Sequence, residues 1–469
     1  MDAGEWEKNL DTFDRYMMNY IPIRLIRLSD MKLVERNDVR KHFRDSVPHK
    51  GAPHPASYVK YAILSHRWLD EGEPTYKEMK SGTAKGPGYR KLKKFCDEAW
   101  KSGVDFAWSD TCCIDKSSSS ELDQSIRSMY RWYYNSDICI VHLAQSATIE
   151  DIKNDDWIQR GWTLQELLAP RRIKLFNKDW MPMTHAENDK SQKETEVMKA
   201  LEKATDIPHK DLWIFKPGPN LVDERMAWAA RRKTTRVEDM AYSLMGIFDV
   251  SLQTAYGEGR DRAFSRLIEA IMQGGDPSIL NWTGEPLFHS SSRAFPRSPE
   301  NFLDRKLQLP QDLGQLEMTM TSRGLRVPLV VLPLTVSSKT EQSTHEYNVT
   351  FECPVSRAIR CQASVSNTVV EGHHQFALGI VNYSLVSCKA PRIARKSVGC
   401  ILFRSAAPRK TCQPSSSSFV TDKTVSPPKR VFGQWKKENQ TGLVEVNFPE
   451  IPSDTYIYIK SEYLETVYL

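Results

Sequence analysis

Apolar and polar positions between Tyr61 and Phe176 fall into a repeating order, in which a short apolar run is followed by a stretch at helical spacing. The runs cover residues 61–65, 105–109, 138–143 and 172–176. Between the first two, Leu92, Phe95, Cys96, Ala99 and Trp100 recur at helical spacing, and Gly103 supplies a stop. Between the second and third, Ser118 and Glu121 form a capping-box signature ahead of Leu122, Ile126, Met129, Tyr130 and Tyr133. This alternation predicts an α/β domain, a parallel sheet with flanking helices. From Asp223 to Gln273 the pattern is helical throughout. Thr235 and Glu238 form a second capping signature, with Val237, Met240, Ala241, Leu244, Met245 and Phe248 as its stripe. Phe264, Leu267, Ile268 and Ile271 make another stripe after a Gly257-Glu258-Gly259 turn. Beyond about Ser290, β-branched segments at 327–332, 347–351, 376–383, 400–403 and 456–459 are separated by Pro, Ser and Gly, which predicts a β-rich region. The expected organisation is an N-terminal extension (1–60), an α/β domain (61–185), a helical annex (186–285) and a β-rich C-terminal domain (286–469). A mobile loop is expected near 404–430, where Ser, Pro, Lys and Thr are dense.

Composition narrows the function classes only a little. A chain of 469 residues that is 40% hydrophobic, 26% charged and 10% aromatic is that of a folded protein with several domains. Lys+Arg 65 against Asp+Glu 59 leaves +6, spread thinly, so no nucleic-acid partner is predicted. The first ten residues carry three acids and no apolar run, unlike a signal or transit peptide. Pro328 and Pro333 interrupt the most apolar stretch, which is shorter than the roughly 20 residues a spanning helix needs, so no membrane span is expected. Nine cysteines, including the adjacent Cys112 and Cys113, fit a reduced, cytoplasmic setting better than a disulfide framework. With no C-x-x-C pair, no metal site is predicted.

In a parallel sheet with crossover helices, ligands collect beyond the carboxyl ends of the strands. There the chain places Ser65-His66-Arg67-Trp68 and Asp110-Thr111-Cys112-Cys113-Ile114-Asp115-Lys116. A third element is Arg160-Gly-Trp-Thr-Leu-Gln-Glu-Leu-Leu-Ala-Pro170. At about 100° per residue Leu164, Leu167 and Leu168 cluster on one side of a helix, and Trp162 and Glu166 share nearly the opposite side. The plain reading is a solvated Glu166 beside a packed Trp162. The chemical reading is an aromatic platform next to a carboxylate, suited to a substrate with a flat cationic ring on a sugar. Cys112 or Cys113 with His66 could instead form a thiolate nucleophile, although adjacent cysteines at a strand end are more often buried small hydrophobes. His142, inside an apolar run, reads as a core histidine.

Four segments resemble the successive signatures of the fungal heterokaryon-incompatibility (HET) domain. They are Tyr61-Ala-Ile-Leu-Ser-His-Arg-Trp68, Trp108-Ser-Asp-Thr-Cys-Cys-Ile-Asp-Lys116, Ser128-Met-Tyr-Arg-Trp-Tyr133 and Arg160 to Pro170. Thr234-Thr-Arg-Val-Glu-Asp-Met-Ala-Tyr-Ser-Leu-Met-Gly-Ile-Phe248 and Tyr256-Gly-Glu-Gly259 are similar to the helical segment that follows in that family. The resemblance implies a role in self/non-self recognition and programmed cell death, and a fold like that of TIR domains. TIR domains that hydrolyse NAD carry a Trp-Cys-x-x-Glu-Leu motif whose Glu is catalytic, and Trp162-Thr-Leu-Gln-Glu-Leu167 keeps its Trp-to-Glu spacing with Thr163 for Cys. By that resemblance Glu166 is the catalytic carboxylate. Ser65, His66, Arg67, Trp68, Asp110, Cys113, Asp115, Arg160 and Trp162 are then the expected contacts to NAD or NADP, a substrate rather than a resident cofactor. Partners implied in addition are copies of the chain or a protein trigger. The rival expectation is a non-catalytic death-signalling module that assembles through aromatics such as Trp132, Tyr133 and Tyr134.

Overall fold

A computed structural model describes residues 3–48, 53–287, 294–305, 307–309, 314–372, 374–385, 390–393, 397–405, 435–446 and 456–469. The chain divides into two compact units, Met1–Pro219 with Ala227–Ala270, and Asn220–Met226 with Ile271–Leu469. Apart from Arg404 and Ser405, which end a strand, the loop expected near 404–430 lies outside the described residues.

The first unit holds a six-stranded sheet formed by β1 (Arg24–Arg27), β2 (Lys32–Glu35), β3 (Ala62–His66), β4 (Phe106–Trp108), β5 (Ile138–His142) and β6 (Ile173–Phe176). Its order is β2-β1-β4-β3-β5-β6. Strands β4, β3, β5 and β6 run parallel, and β1 and β2 add an antiparallel edge. Every residue of β3 and β5 is buried, as a strand covered on both faces requires, which is why these strands read as unbroken apolar runs. The edge hairpin carries only short apolar stretches such as Leu25-Ile26, and the residues 1–60 expected as an extension supply two strands of the sheet.

The helices that position the sheet are α1 (Ala3–Asn19), α2 (Arg36–Arg44), α3 (Tyr76–Ser81), α4 (Pro87–Lys101), α5 (Ser119–Asn135), α6 (Asp156–Gln159) and α7 (Thr163–Leu168). On α4 the apolar face is Leu92, Phe95, Cys96 and Ala99, while Trp100, one step beyond it, is 56% exposed. Ser118 caps α5 through Glu121 N–H, but Glu121 does not reach back; it pairs with Arg24 and accepts Asp115 N–H at 2.7 Å. The expected box at Thr235 and Glu238 is absent. Two short helices, Asp239–Tyr242 and Met245–Phe248, replace one long one, and Val237 is 53% exposed. The Glu238 side chain is instead engaged by a later turn, its Oε1 accepting the amides of Gly257 (2.9 Å) and Gly259 (3.1 Å). Both glycines have φ near +90°, the left-handed region that this turn needs.

The second unit contains a nine-stranded sheet built on the long strand Gly324–Ser343, which pairs with Glu346–Cys353, His374–Ile380, Leu464–Tyr468 and Thr319–Thr321. Its core includes Val330, Leu332, Phe351, Leu378 and Ile401. The C-terminal region is therefore β-rich. No helix among the described residues is long and apolar enough to cross a membrane.

The aromatic triplet on α5 is mostly interior. Trp132 and Tyr133 are buried, their rings 5.6 and 6.0 Å from Trp108, and Tyr133 Oη donates to Leu64 O at 2.8 Å; only Tyr134 reaches solvent. Two of the three residues expected to form a contact surface are thus core, because α5 must cover the apolar face of β3 and β4. Trp132→Ala should lower unfolding stability in urea by about 3–5 kcal/mol, the range for emptying a buried aromatic site. Tyr134→Ala should cost a fraction of that, and equal losses would contradict this packing.

Candidate active site at the carboxyl end of the sheet

Counted along the chain, the parallel strands stand in the order second, first, third, fourth, so the direction of winding reverses between β3 and β5. A crevice outside the carboxyl ends is expected at that point. Ser65, near the end of β3, donates from Oγ to Glu166 Oε2 at 2.5 Å and accepts Trp157 Nε1–H at 2.8 Å. Trp157 is set by Asp155, which accepts its amide and those of Gln145 and Ser146 in the loop after β5. Glu166 sits on α7, closed at its far end by Lys190, whose Nζ donates to Leu168 O (3.1 Å) and Pro170 O (2.8 Å).

Beside this node His66 Nε2 lies 3.3 Å from Asp110 Oδ1, and Trp68 Nε1 donates to Asp110 Oδ2 at 2.8 Å. Lys116 Nζ stands 3.8 Å over the Trp68 ring, with the Arg160 guanidinium 5.9 Å from it. Trp68, Glu73, Tyr76, Thr111, Asp115 and Lys116 line a cleft of about 330 Å³ between the loops that follow β3 and β4. Lys91 pairs with Glu73 and donates to Arg67 O, holding the first loop down.

These groups have separated acidities. Burial, and after it the charge of Asp110, raise the Glu166 carboxyl to about 8 against the opposing Ser65, Arg160 and Tyr133. Burial also works to raise Asp110, but His66, Lys116 and Trp68 outweigh it and hold the group at about 2. The buried His66 is pushed down by desolvation and by Lys91. At neutral pH the cluster is a protonated Glu166, a neutral His66 and an ionised Asp110. Two carboxyls of which one feels the other's charge, with acidities driven in opposite directions, are a common acid/base arrangement.

The expected site residues are only partly gathered. Ser65, His66, Trp68, Asp110, Asp115, Arg160 and Glu166 converge on this rim of the sheet. Glu166, however, is 6% exposed, and α7 is buried on every face, so the predicted solvent-facing side shared with Trp162 does not exist. Trp162 instead donates from Nε1 to Asp239 at 3.2 Å, which also accepts the Tyr256 hydroxyl. Arg67 is engaged by Asp70 (3.1 Å) and by Asp156 across the crevice (3.4 Å). Cys113 is 2% exposed, and its neighbour's thiol is pushed up by hydrogen bonding to Cys113 and by burial, the reverse of an activated thiolate. His142 stacks on Trp180 at 4.3 Å, as a packed core histidine does. Sequence reasoning missed Trp157, Asp155, Lys190 and Asp239. Of these only Asp155, followed by Asp156 and Trp157, had a local signal as a helix N-cap.

This wound α/β layer is similar to the HET domain. Residues 61–148 match the family model described as Heterokaryon incompatibility protein (HET). Over 263 residues the chain is 40% identical to the vegetative incompatibility protein HET-E-1 of Podospora anserina, a match that covers 53% of this chain and 18% of that protein. No solved structure gives a significant match.

Because Glu166 keeps its proton in the folded state up to about pH 8 and an unfolded carboxyl releases it near 4.5, folding binds a proton between those values. The group's contribution is full below about 4.5 and is lost as pH rises to about 8. Urea denaturation of wild type and Glu166→Gln across pH 4 to 9 should show wild-type stability, relative to the variant, falling through that window. A flat difference would mean that the carboxyl is ionised in the fold.

Proposed function

We propose that this chain acts in the cytoplasm in heterokaryon incompatibility, in a cell-death response between unlike fungal partners, and that its HET domain hydrolyses the nicotinamide–ribose bond of NAD or NADP. Support for the role comes from the HET match and from the relative named as a vegetative incompatibility protein. A TIR-like reading of the fold draws support from the strand order. The observation that carries the chemistry is a carboxyl at the winding reversal, bonded to Ser65, on the same rim of the sheet as a cleft between the loops after β3 and β4 that is lined by the Trp68 indole and Lys116.

In this reading the C–N bond between ribose C1′ and nicotinamide breaks first, the electron pair leaving with the neutral ring. The ionised Glu166 lowers the energy of the oxocarbenium-like ribose, and water adds to C1′ and releases a proton, leaving ADP-ribose. Ser65 orients the carboxylate, and Lys116 and Arg160 take the phosphates. Substrate entry requires the loops after β3 and β5, now tied by Arg67 and Asp156, to part. Self-assembly or a protein trigger supplies that opening.

Closure of Glu166, which is buried and protonated at neutral pH, favours a second reading, a module that signals death by assembly without catalysis. The two are separated by nicotinamide release from NAD under crowded, assembly-promoting conditions. Glu166→Gln should lower the rate about 10²- to 10³-fold, as for loss of one group that stabilises transition-state charge. Wild-type rate should climb with pH toward about 8, where Glu166 ionises. Equal rates for the two proteins would end the enzymatic reading, and cell death that survives Glu166→Gln would support the scaffold.

A further inference from the structure

The opposite rim of the sheet, where β5 and β6 begin, carries a second cleft of about 510 Å³. It is formed by the end of α5 (Arg131, Tyr134, Asn135), Tyr20, the segment around His54 and Arg171. Each of its two guanidinium groups rests on a tyrosine. Arg131 lies 5.6 Å from the centroid of Tyr20, and Arg171 lies 4.5 Å from that of Tyr134 and donates to its hydroxyl at 2.7 Å. Tyr20 is itself stacked on Tyr16 at 5.6 Å with the rings 7° apart, and Asn135 Nδ2 donates to Tyr20 O. The rings and forks are therefore held before any ligand arrives.

Neither Arg131 nor Arg171 has a carboxylate at ion-pair distance among the described residues. Asp137, at the start of β5, is taken by Lys60 (3.4 Å) and Arg172 (3.5 Å). The described residues around His54, 53–57, include no Asp or Glu. Arg36, on the same side, is lowered to about 10, by burial and then by the charge of Arg131. A neighbouring cleft of about 590 Å³ shares Arg131 and Tyr134 and continues along α5 past Arg127 toward Lys216.

Guanidinium forks match phosphate oxygens two at a time, and a flat heteroaromatic ring stacks on tyrosine. A cleft of several hundred Å³ is the size of a small-molecule site. We propose that this amino-end cleft binds a nucleoside phosphate, with Arg131 and Arg171 on the phosphate and the base laid against Tyr134. It is separate from the Glu166 rim and does not depend on the function proposed for that rim.

The test is calorimetric titration of the full chain with AMP, adenosine, inorganic phosphate and a short oligodeoxythymidylate. AMP should bind with Kd below about 1 mM. Adenosine and phosphate should each bind at least tenfold more weakly, Arg131→Gln/Arg171→Gln should weaken AMP at least tenfold with an unchanged circular dichroism spectrum, and Glu166→Gln should bind as wild type does. Absence of AMP binding, undiminished binding in the double variant, loss of binding in Glu166→Gln, phosphate binding as tight as AMP, or preference for the oligonucleotide would each overturn the assignment.

Discussion

The bond from Ser65 to Glu166 is the constraint around which the first unit is arranged. An ionised carboxylate taken out of water without compensating partners costs several kcal/mol, so a buried acid must be paired or must keep its proton. Glu166 does both in part: one oxygen meets the Ser65 hydroxyl, and burial together with the nearby Asp110 keeps the group protonated at neutral pH. The indole of Trp157 then occupies Ser65 from the other side, and the loop carrying Trp157 is knitted by Asp155. A closed state of the rim follows from these bonds, which tie the connection between β5 and β6, carrying Asp155, Trp157 and Glu166, to Ser65 on β3.

The same interdependence explains why segments far apart in the chain form one structure. Gly161 presses against Thr234, where a Cβ would come within 2.4 Å of the threonine methyl, and its amide donates to Lys233 O. Asp239 ties Trp162 to Tyr256, Tyr242 donates to Glu258, and Arg266 pairs with Glu258. The helical segment after the sheet is thus a clamp on the start of α7, and it sets where Glu166 can stand.

The two rims of the sheet have opposite character. At the carboxyl end, acids and cations are interleaved and largely neutralise each other, a setting that tunes protons. At the amino end, Arg131 and Arg171 lie on tyrosine faces and, among the described residues, have no carboxylate at ion-pair distance. A sheet wound in both directions has loops and helix ends at each rim, and a mixed-charge cluster occupies one while stacked arginines occupy the other.

Local pattern alone determined the parallel strands, because strands buried on both faces must be apolar throughout, and it determined α4 and α5, because an amphipathic helix shows its period in the sequence. It also located the polar strand ends at Ser65-His66 and Asp110, since ionisable residues stand out where an apolar run stops. Three things were decided only in the folded chain. The hairpin of β1 and β2 exists through pairing with β4, and its short apolar stretches carry no periodicity of their own. Helix α7 is too short for its wheel to define an outer face, and neighbours on all sides buried the one that the spacing suggested. Trp162 and Glu166, four residues apart, were separated by partners more than sixty positions away in sequence, Asp239 for one and Ser65 for the other, because a hydrogen bond is satisfied by whatever tertiary packing brings within 3 Å.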